Sequence, residues 1–156
     1  MPVITLETFI AADREIVFDL ARSIDLHQLS LAHTREEAIA GVTSGLIGPG
    51  EEVTWRATHF GVRQTLSSKI TEFERPCFFS DEMLKGAFKC FKHRHDFLPQ
   101  TGGTTLLDTF DFEAPLGWLG HLANRLFLKR YMTNFLVKRN QVLKAYAESD
   151  KWREIL

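Results

Sequence analysis

Residues 91–112 read FKHRHDFLPQTGGTTLLDTFDF, and this stretch predicts a β-hairpin with one aromatic face. Side chains at every second position of a strand lie on the same side of a sheet. Two phenylalanines and two histidines therefore share one side between Phe91 and Phe97, and the charged residues between them share the other. The returning strand presents the apolar set Leu106, Asp108, Phe110 and Phe112.

The two glycines at 102–103 set the register of this hairpin. A turn close to residues 100–103 places His95 opposite Asp108 and His93 opposite Phe110. Burying an unpaired polar group costs on the order of 1 to 3 kcal/mol, so a core face normally excludes such residues. Ionisable side chains among phenylalanines therefore predict that this face lines a cavity.

Composition indicates one soluble globular domain. The chain has 156 residues, of which 44% are hydrophobic and 25% charged, and 13 are phenylalanines. A net charge of −1 argues against a nucleic-acid-binding protein, because such domains are usually strongly basic. We predict a single domain over residues 1–148, followed by a polar tail over residues 149–156.

The sequence favours a cytoplasmic protein. It has no run of the roughly 18 apolar residues that a membrane span requires, and its first residues lack the basic segment of a signal peptide. Cys77 and Cys90 have opposite strand parities, so they do not form a disulfide framework.

The elements before the hairpin follow one another in a recognisable order. Residues 3–10 alternate as a first strand, Asp13 is a candidate N-cap of a short helix, and a second short helix follows Ser23. Residues 35–42 are a weaker strand candidate. Five glycines and prolines then predict a loop between Gly41 and Gly50.

From residue 51 onwards, period-two alternation predicts a meander of antiparallel strands with one apolar face. We expect that face to be concave and to comprise Val53, Trp55, Leu66, Ile70, Phe79, Met83, Phe91, Phe97, Leu106, Phe110 and Phe112. After Pro115 the period changes to about 3.6, which predicts a helix ending near Ala147. Its expected apolar stripe is Leu122, Leu126, Met132, Phe135, Leu136, Val142, Leu143 and Tyr146.

This order of elements predicts an α+β fold. A curved antiparallel sheet of six to seven strands needs cover on its concave face, and one long amphipathic helix at the C-terminus can supply it. A sheet around one helix packs tightly only at the middle of the helix. We therefore expect a cavity between sheet and helix.

Several short motifs are spread over nearly the whole chain. They are residues 50–55 (GEEVTW), 59–61 (HFG), 73–76 (FERP), 79–83 (FSDEM), 91–97 (FKHRHDF), 102–104 (GGT) and 108–117 (DTFDFEAPLG). With these motifs the chain resembles the SRPBCC or START-like superfamily, whose members share the helix-grip fold and include the birch-pollen allergen, coenzyme-Q-binding proteins and polyketide cyclases. Within that superfamily it is similar to bacterial single-domain proteins of the polyketide cyclase/dehydrase-like group.

Two classes of function fit these residues. The first is binding of a small hydrophobic molecule, such as a lipid, isoprenoid, polyketide or aromatic compound. The expected ligand-binding residues are Trp55, His59, Gln64, Leu66, Phe79, Asp81, Met83, Phe91, His93, His95, Asp108, Phe110, Leu122 and Leu126. The alternative is a cyclase or dehydratase in which His93, His95 and Asp108 supply acid/base catalysis.

The same three residues could also form a metal site or a purely structural hydrogen-bond network. Metal-ligand signatures are usually richer, so we predict no metal and no cofactor. We expect a cavity with one polar end at these residues and a mouth near the loop Gly41–Gly50 and the segment Gly117–Gly120.

The predicted partner is the small hydrophobic molecule, in a monomer or homodimer that does not bind nucleic acid. Basic residues flank the apolar stripe of the last helix. A solvated helix face is the simpler interpretation of these residues, and transient contact with an anionic membrane surface is the alternative.

Overall fold

The computed structural model describes residues 3–59, 61–114 and 121–156, without the side chains of residues 121–125. Two short helices follow the first strand, and a long helix follows the last one, as predicted. No helix in these ranges is long and apolar enough to cross a membrane. The elements are β1 (Val3–Ile10), α1 (Arg14–Ala21), α2 (Ile24–Ser30), a 3₁₀ turn (Ala32–Thr34), β2 (Glu37–Gly41), β3 (Glu52–His59), β4 (Val62–Glu74), β5 (Phe78–Lys85), β6 (Cys90–Gln100), β7 (Gly103–Glu113), α3 (His121–Ala147) and α4 (Trp152–Ile155).

The seven strands form one antiparallel sheet in the order β1-β7-β6-β5-β4-β3-β2. The hairpin register predicted from the sequence is confirmed, since His95 pairs with Asp108 and His93 with Phe110. Gly102 turns the chain with a φ of +80°. Gly103 abuts the backbone of Ile10 in β1 so closely that no side chain could fit there.

The predicted concave face is confirmed. All eleven residues belong to two apolar clusters, and each cluster includes a residue of α3. Leu143 packs in the cluster around Phe97 and Ile70, and Leu136 packs in the cluster around Phe110. The sheet therefore closes around α3, which is the helix-grip arrangement expected from the sequence.

The predicted apolar stripe of α3 is wrong in its first half. Leu136, Leu143 and Ala147 are buried, whereas Leu126 is 70% exposed. Six residues separate Leu126 from Met132, and six residues turn an α-helix by about 240°, so the two do not share a face. Leu122 lies outside the described side chains, and Phe135 is half-buried rather than fully buried.

The starts of α1 and α2 and the glycine-rich loop match the sequence analysis only in part. The hydroxyl of Ser23 caps α2 by accepting a hydrogen bond from the backbone of Leu26, at 3.1 Å. Asp13 occupies the N-cap position of α1, but its side chain makes no capping hydrogen bond. Ile47, in the middle of the glycine-rich loop, is buried in the core.

The last eight residues form more than a polar tail. Trp152–Ile155 make up α4, and the side chains of Trp152 and Ile155 pack against the larger apolar cluster. Two side chains three residues apart lie on one face of a helix, so together they can cover apolar surface. The three-residue spacing of Trp152 and Ile155 could have indicated this helix from the sequence.

We expect replacement of Leu143 by alanine to lower the free energy of unfolding by roughly 2 to 5 kcal/mol, because the residue is only 2% exposed. The matched change Leu126→Ala on the same helix should lie within about 0.5 kcal/mol of the wild type. Chemical denaturation measures both. Equal effects of the two changes would contradict the packing of α3 on the sheet.

Candidate functional site

A cavity of about 310 Å³ lies between the concave face of the sheet and α3. Its wall is mainly apolar, with polar side chains at separate places. Eight of the residues predicted to bind a ligand line it, and their binding role stays a prediction. They are Trp55, His59, Gln64, Leu66, Asp81, Phe91, His93 and Phe110.

The other predicted ligand-binding residues are not among the described residues that line the cavity. Phe79 stacks on His95 with ring centroids 4.4 Å apart, and both side chains are buried behind the wall. Met83 packs against the apolar cluster of Phe110. Leu126 is exposed to solvent, Asp108 is fully buried, and Leu122 lies outside the described side chains.

Asp108 of β7 is the centre of a buried polar network. Its side chain has no exposed surface. One carboxylate oxygen lies 2.9 Å from Nε2 of His93 and 2.9 Å from Nδ1 of His95. The His95 contact brings the two atoms together without hydrogen-bond alignment, so we regard it as a charge contact.

Two residues of α3 complete the network, and sequence analysis did not single them out. Arg139 donates to the same carboxylate oxygen of Asp108 at 3.2 Å, and Asn140 donates to its other oxygen at 2.6 Å. Both side chains are buried, and Arg139 also lines the cavity. Arg139 and Asn140 lie three and four residues after Leu136, which places them on the apolar stripe of the helix. This spacing could have identified them in the sequence as polar residues that face the sheet.

Asp81 of β5 links this network to the cavity. One of its carboxylate oxygens lies 3.2 Å from Nε2 of His95. Asp81, His93 and Arg139 all line the cavity, and we call them the inner polar group. The sequence predicted Asp81 and His93 at the wall correctly by strand parity, but it placed His95 there as well.

The two histidines have opposite protonation preferences. Burial and the charge of the neighbouring His95 lower the pKa of His93 to about 4, against the influence of Asp108. Burial alone would also lower the pKa of His95, but its contacts with Asp108 and Asp81 outweigh this and raise it. Of the two rings, His95 is therefore the more readily protonated, and His93 is neutral near pH 7.

The carboxylates are stabilised as anions. Burial opposes ionisation of Asp108, yet Arg139 and the two histidines hold its pKa well below the usual range. The pKa of Asp81 is lowered as well, because His95 and the nearby positive charges outweigh its burial. Arg139 and the histidines thus reduce the cost of burying the two carboxylates.

Ligand atoms of Asp81, His93 and His95 lie within 4.8 Å of one another, a spacing that a metal ion could bridge. However, Arg139 brings a permanent positive charge to the same network, and Asp81 already contacts His95. This charge opposes a divalent cation. We therefore assign no metal to these residues.

A second polar group lies at another part of the same wall. His59 and Tyr131 are joined by a hydrogen bond of 2.5 Å between Nδ1 and the phenol oxygen, which connects β3 to α3. Glu36 also lines the wall and lies 2.8 Å from Nε2 of His27. We call Glu36, His59 and Tyr131 the second polar group.

The expectation of a single polar end is therefore wrong. Sequence analysis found His59 by its strand parity, but it missed His27, Glu36 and Tyr131. These three lie on helices and a connection whose approach to the sheet depends on tertiary packing. Burial lowers the pKa of His59 and raises that of Tyr131, so both are uncharged near neutral pH.

The expected position of the mouth is not supported. None of residues 41–50 is among the described residues that line the cavity. Hydrogen bonds hold this loop against the first two helices, including one of 3.0 Å from the backbone of Gly45 to Asp25. The segment Gly117–Gly120 lies outside the described residues.

Comparison with known proteins shows the fold alone. No family model and no curated protein matches the sequence. Among solved structures, the chain is similar to TTHA0849 from Thermus thermophilus, with a TM-score of 0.77 and 20% identity over 94% of this chain and 97% of that one.

Two further structures share the fold. The di-domain ARO/CYC protein StfQ of the steffimycin biosynthetic pathway has a TM-score of 0.75 and 16% identity, over 94% of this chain and 50% of that one. The major latex-like protein 151 of Panax ginseng has a TM-score of 0.65 and 13% identity, over 95% of this chain and 98% of that one. These structural matches confirm the helix-grip fold that the sequence predicted.

We expect the protein to lose stability as the pH falls from about 6.5 towards 4. The pKa of His93 lies at about 4 in the folded chain and near 6.5 when unfolded, so the unfolded chain binds a proton that the folded one does not. The free energy of unfolding should fall by about 1.4 kcal/mol per pH unit from this group. Denaturation of His93→Gln over this range should show a shallower slope.

The exposed change Gln141→Ala serves as the control and should keep the slope of the wild type. Glutamine can still donate a hydrogen bond towards Asp108, so the His93→Gln variant tests titration rather than packing. An unchanged slope in His93→Gln would contradict the burial of a neutral histidine at this position.

Proposed function

We propose that this protein binds a small, mainly hydrophobic molecule in the cavity between its sheet and α3. The observation that supports this most directly is the cavity itself. A volume of about 310 Å³ lies within the range of small-molecule sites. Aromatic and aliphatic side chains such as Phe88, Phe91 and Met132 form most of its wall.

The inner polar group supports binding of a molecule that carries at least one polar function. Asp81 is an acceptor and Arg139 is a donor. Neutral His93 donates its Nε2–H to Asp108, so it can offer Nδ1 as a further acceptor. A hydroxyl or carbonyl group placed there would find both kinds of partner. The surrounding apolar wall would bury the remainder of the ligand, at roughly 25 cal/mol for each Å² of apolar surface.

Binding is favoured over the cyclase or dehydratase alternative by the positions and pKa values of the candidate catalytic residues. His95 and Asp108 do not reach the cavity wall. His93 does reach it, but a histidine with a pKa of about 4 is a weak base near neutral pH. The similarity to StfQ concerns the fold and gives no support for a catalytic group in this cavity.

The proposal is tested with N-phenyl-1-naphthylamine, an uncharged fluorophore that brightens in apolar surroundings. Ala57 lines the cavity from β3, so Ala57→Phe should fill part of its volume. We expect saturable binding by the wild type and an increase in Kd of about ten-fold or more in this variant. A fluorescence titration measures both.

Ala145 on α3 is exposed, so Ala145→Phe adds the same ring outside the cavity and should leave the Kd unchanged. Circular dichroism establishes that both variants fold. The proposal fails if the wild type shows no saturable binding, or if Ala57→Phe binds the dye as tightly as the wild type.

A further inference from the structure

The cavity wall carries two polar groups that are separated along α3. Tyr131 belongs to the second polar group and Arg139 to the inner one, and both side chains line the cavity. Eight residues of an α-helix rise about 12 Å, so the two groups lie well apart rather than forming one cluster. The cavity is therefore polar at two places along its length.

The stretch between the two groups is mainly apolar, although Gln64 and Ser68 of β4 also line the cavity. Met132, Phe135 and Leu136 on α3 line it from one side. On the opposite side the wall includes Ala57 of β3 and Leu66 of β4. A ligand that reaches from one polar group to the other would thus have an apolar body between two polar ends.

Both polar groups keep hydrogen-bonding atoms that the described part of the chain does not use. Arg139 donates through Nε and Nη2, and its Nη1 makes no hydrogen bond to a described residue. In the second group, one oxygen of Glu36 contacts His27, while the other has no hydrogen bond within the described ranges. The same holds for Nε2 of His59.

The two polar groups differ in the charges that they carry. The inner group combines the anionic Asp81 with the cationic Arg139, so it suits a hydroxyl or carbonyl rather than a second full charge. The second group has His59 and Tyr131, which are uncharged near neutral pH, beside the carboxylate of Glu36. This combination suits a hydroxyl that donates to the carboxylate and accepts from a ring N–H.

We propose that the ligand is two-ended: an apolar body with a hydroxyl or carbonyl at each end, spaced to reach both groups. This inference rests on the proposed binding function. The second oxygen of Glu36 and Nε2 of His59 make no hydrogen bond to the described residues. A molecule with a plain hydrocarbon tail would cover these atoms without pairing them, and leaving buried polar atoms unpaired is unfavourable. The class thus includes hydroxylated polycyclic aromatics and long diols, rather than simple fatty chains.

The test compares decan-1-ol with decane-1,10-diol, which differ only in the second hydroxyl. Displacement of N-phenyl-1-naphthylamine gives the Kd of each. We expect the wild type to bind the diol at least as tightly as the alcohol, although the diol is the more water-soluble compound. In His59→Phe the Kd of the diol should rise about five-fold or more, while that of the alcohol should not rise.

Thr58→Val is the matched control, because Thr58 neighbours His59 in β3 and faces the other side of the sheet. It should leave both Kd values unchanged. If His59→Phe does not fold by circular dichroism, Glu36→Gln replaces it and should show the same selective loss.

The outcomes separate the two proposals. If both compounds displace the dye but the diol binds at least ten-fold more weakly, with no effect of the second-group variants, the two-ended ligand is wrong and the binding function stands. If neither compound displaces the dye and the wild type does not bind the dye, both proposals fall together.

Discussion

The buried carboxylate of Asp108 is the interaction on which the rest of the structure depends. An ionised carboxylate without solvent contact is strongly unfavourable unless charges and hydrogen bonds surround it. Here the partners come from two elements, His93 and His95 of β6 and Arg139 and Asn140 of α3. The same network therefore stabilises the carboxylate and fixes α3 against the centre of the sheet.

This attachment explains where the cavity lies. Beyond Asn140, Leu143 and Ala147 pack fully into the core. Before Arg139, the helix presents half-buried side chains such as Met132 and Phe135 to a gap. The helix is held at its middle and packed at its C-terminal half, so empty space is left along the other half. In that half of the helix, the hydrogen bond between His59 and Tyr131 joins β3 to α3.

The sheet was predictable from the sequence, whereas the partners on the helix were not. Strict alternation set which side chains of β3 to β7 are buried, and the two glycines at 102–103 set the pairing of His95 with Asp108. These are local rules. The contacts of Arg139 and Tyr131 depend on how α3 is rotated and translated against the sheet, which no local pattern defines. The misplaced Leu126 has a different cause, because a six-residue step does not stay on one helix face and the local spacing already argued against it.

The distribution of protons in the network bears on what the cavity can do. The two histidine rings lie 3.8 Å apart, so protonation of one disfavours protonation of the other. The more basic ring is His95, which is enclosed between Asp81 and Asp108, and the ring at the wall is neutral His93. Proton transfer to a bound molecule would require the opposite arrangement, with the basic ring at the wall and the neutral one behind it. The network thus places its more basic ring behind the cavity wall and a neutral ring at the wall.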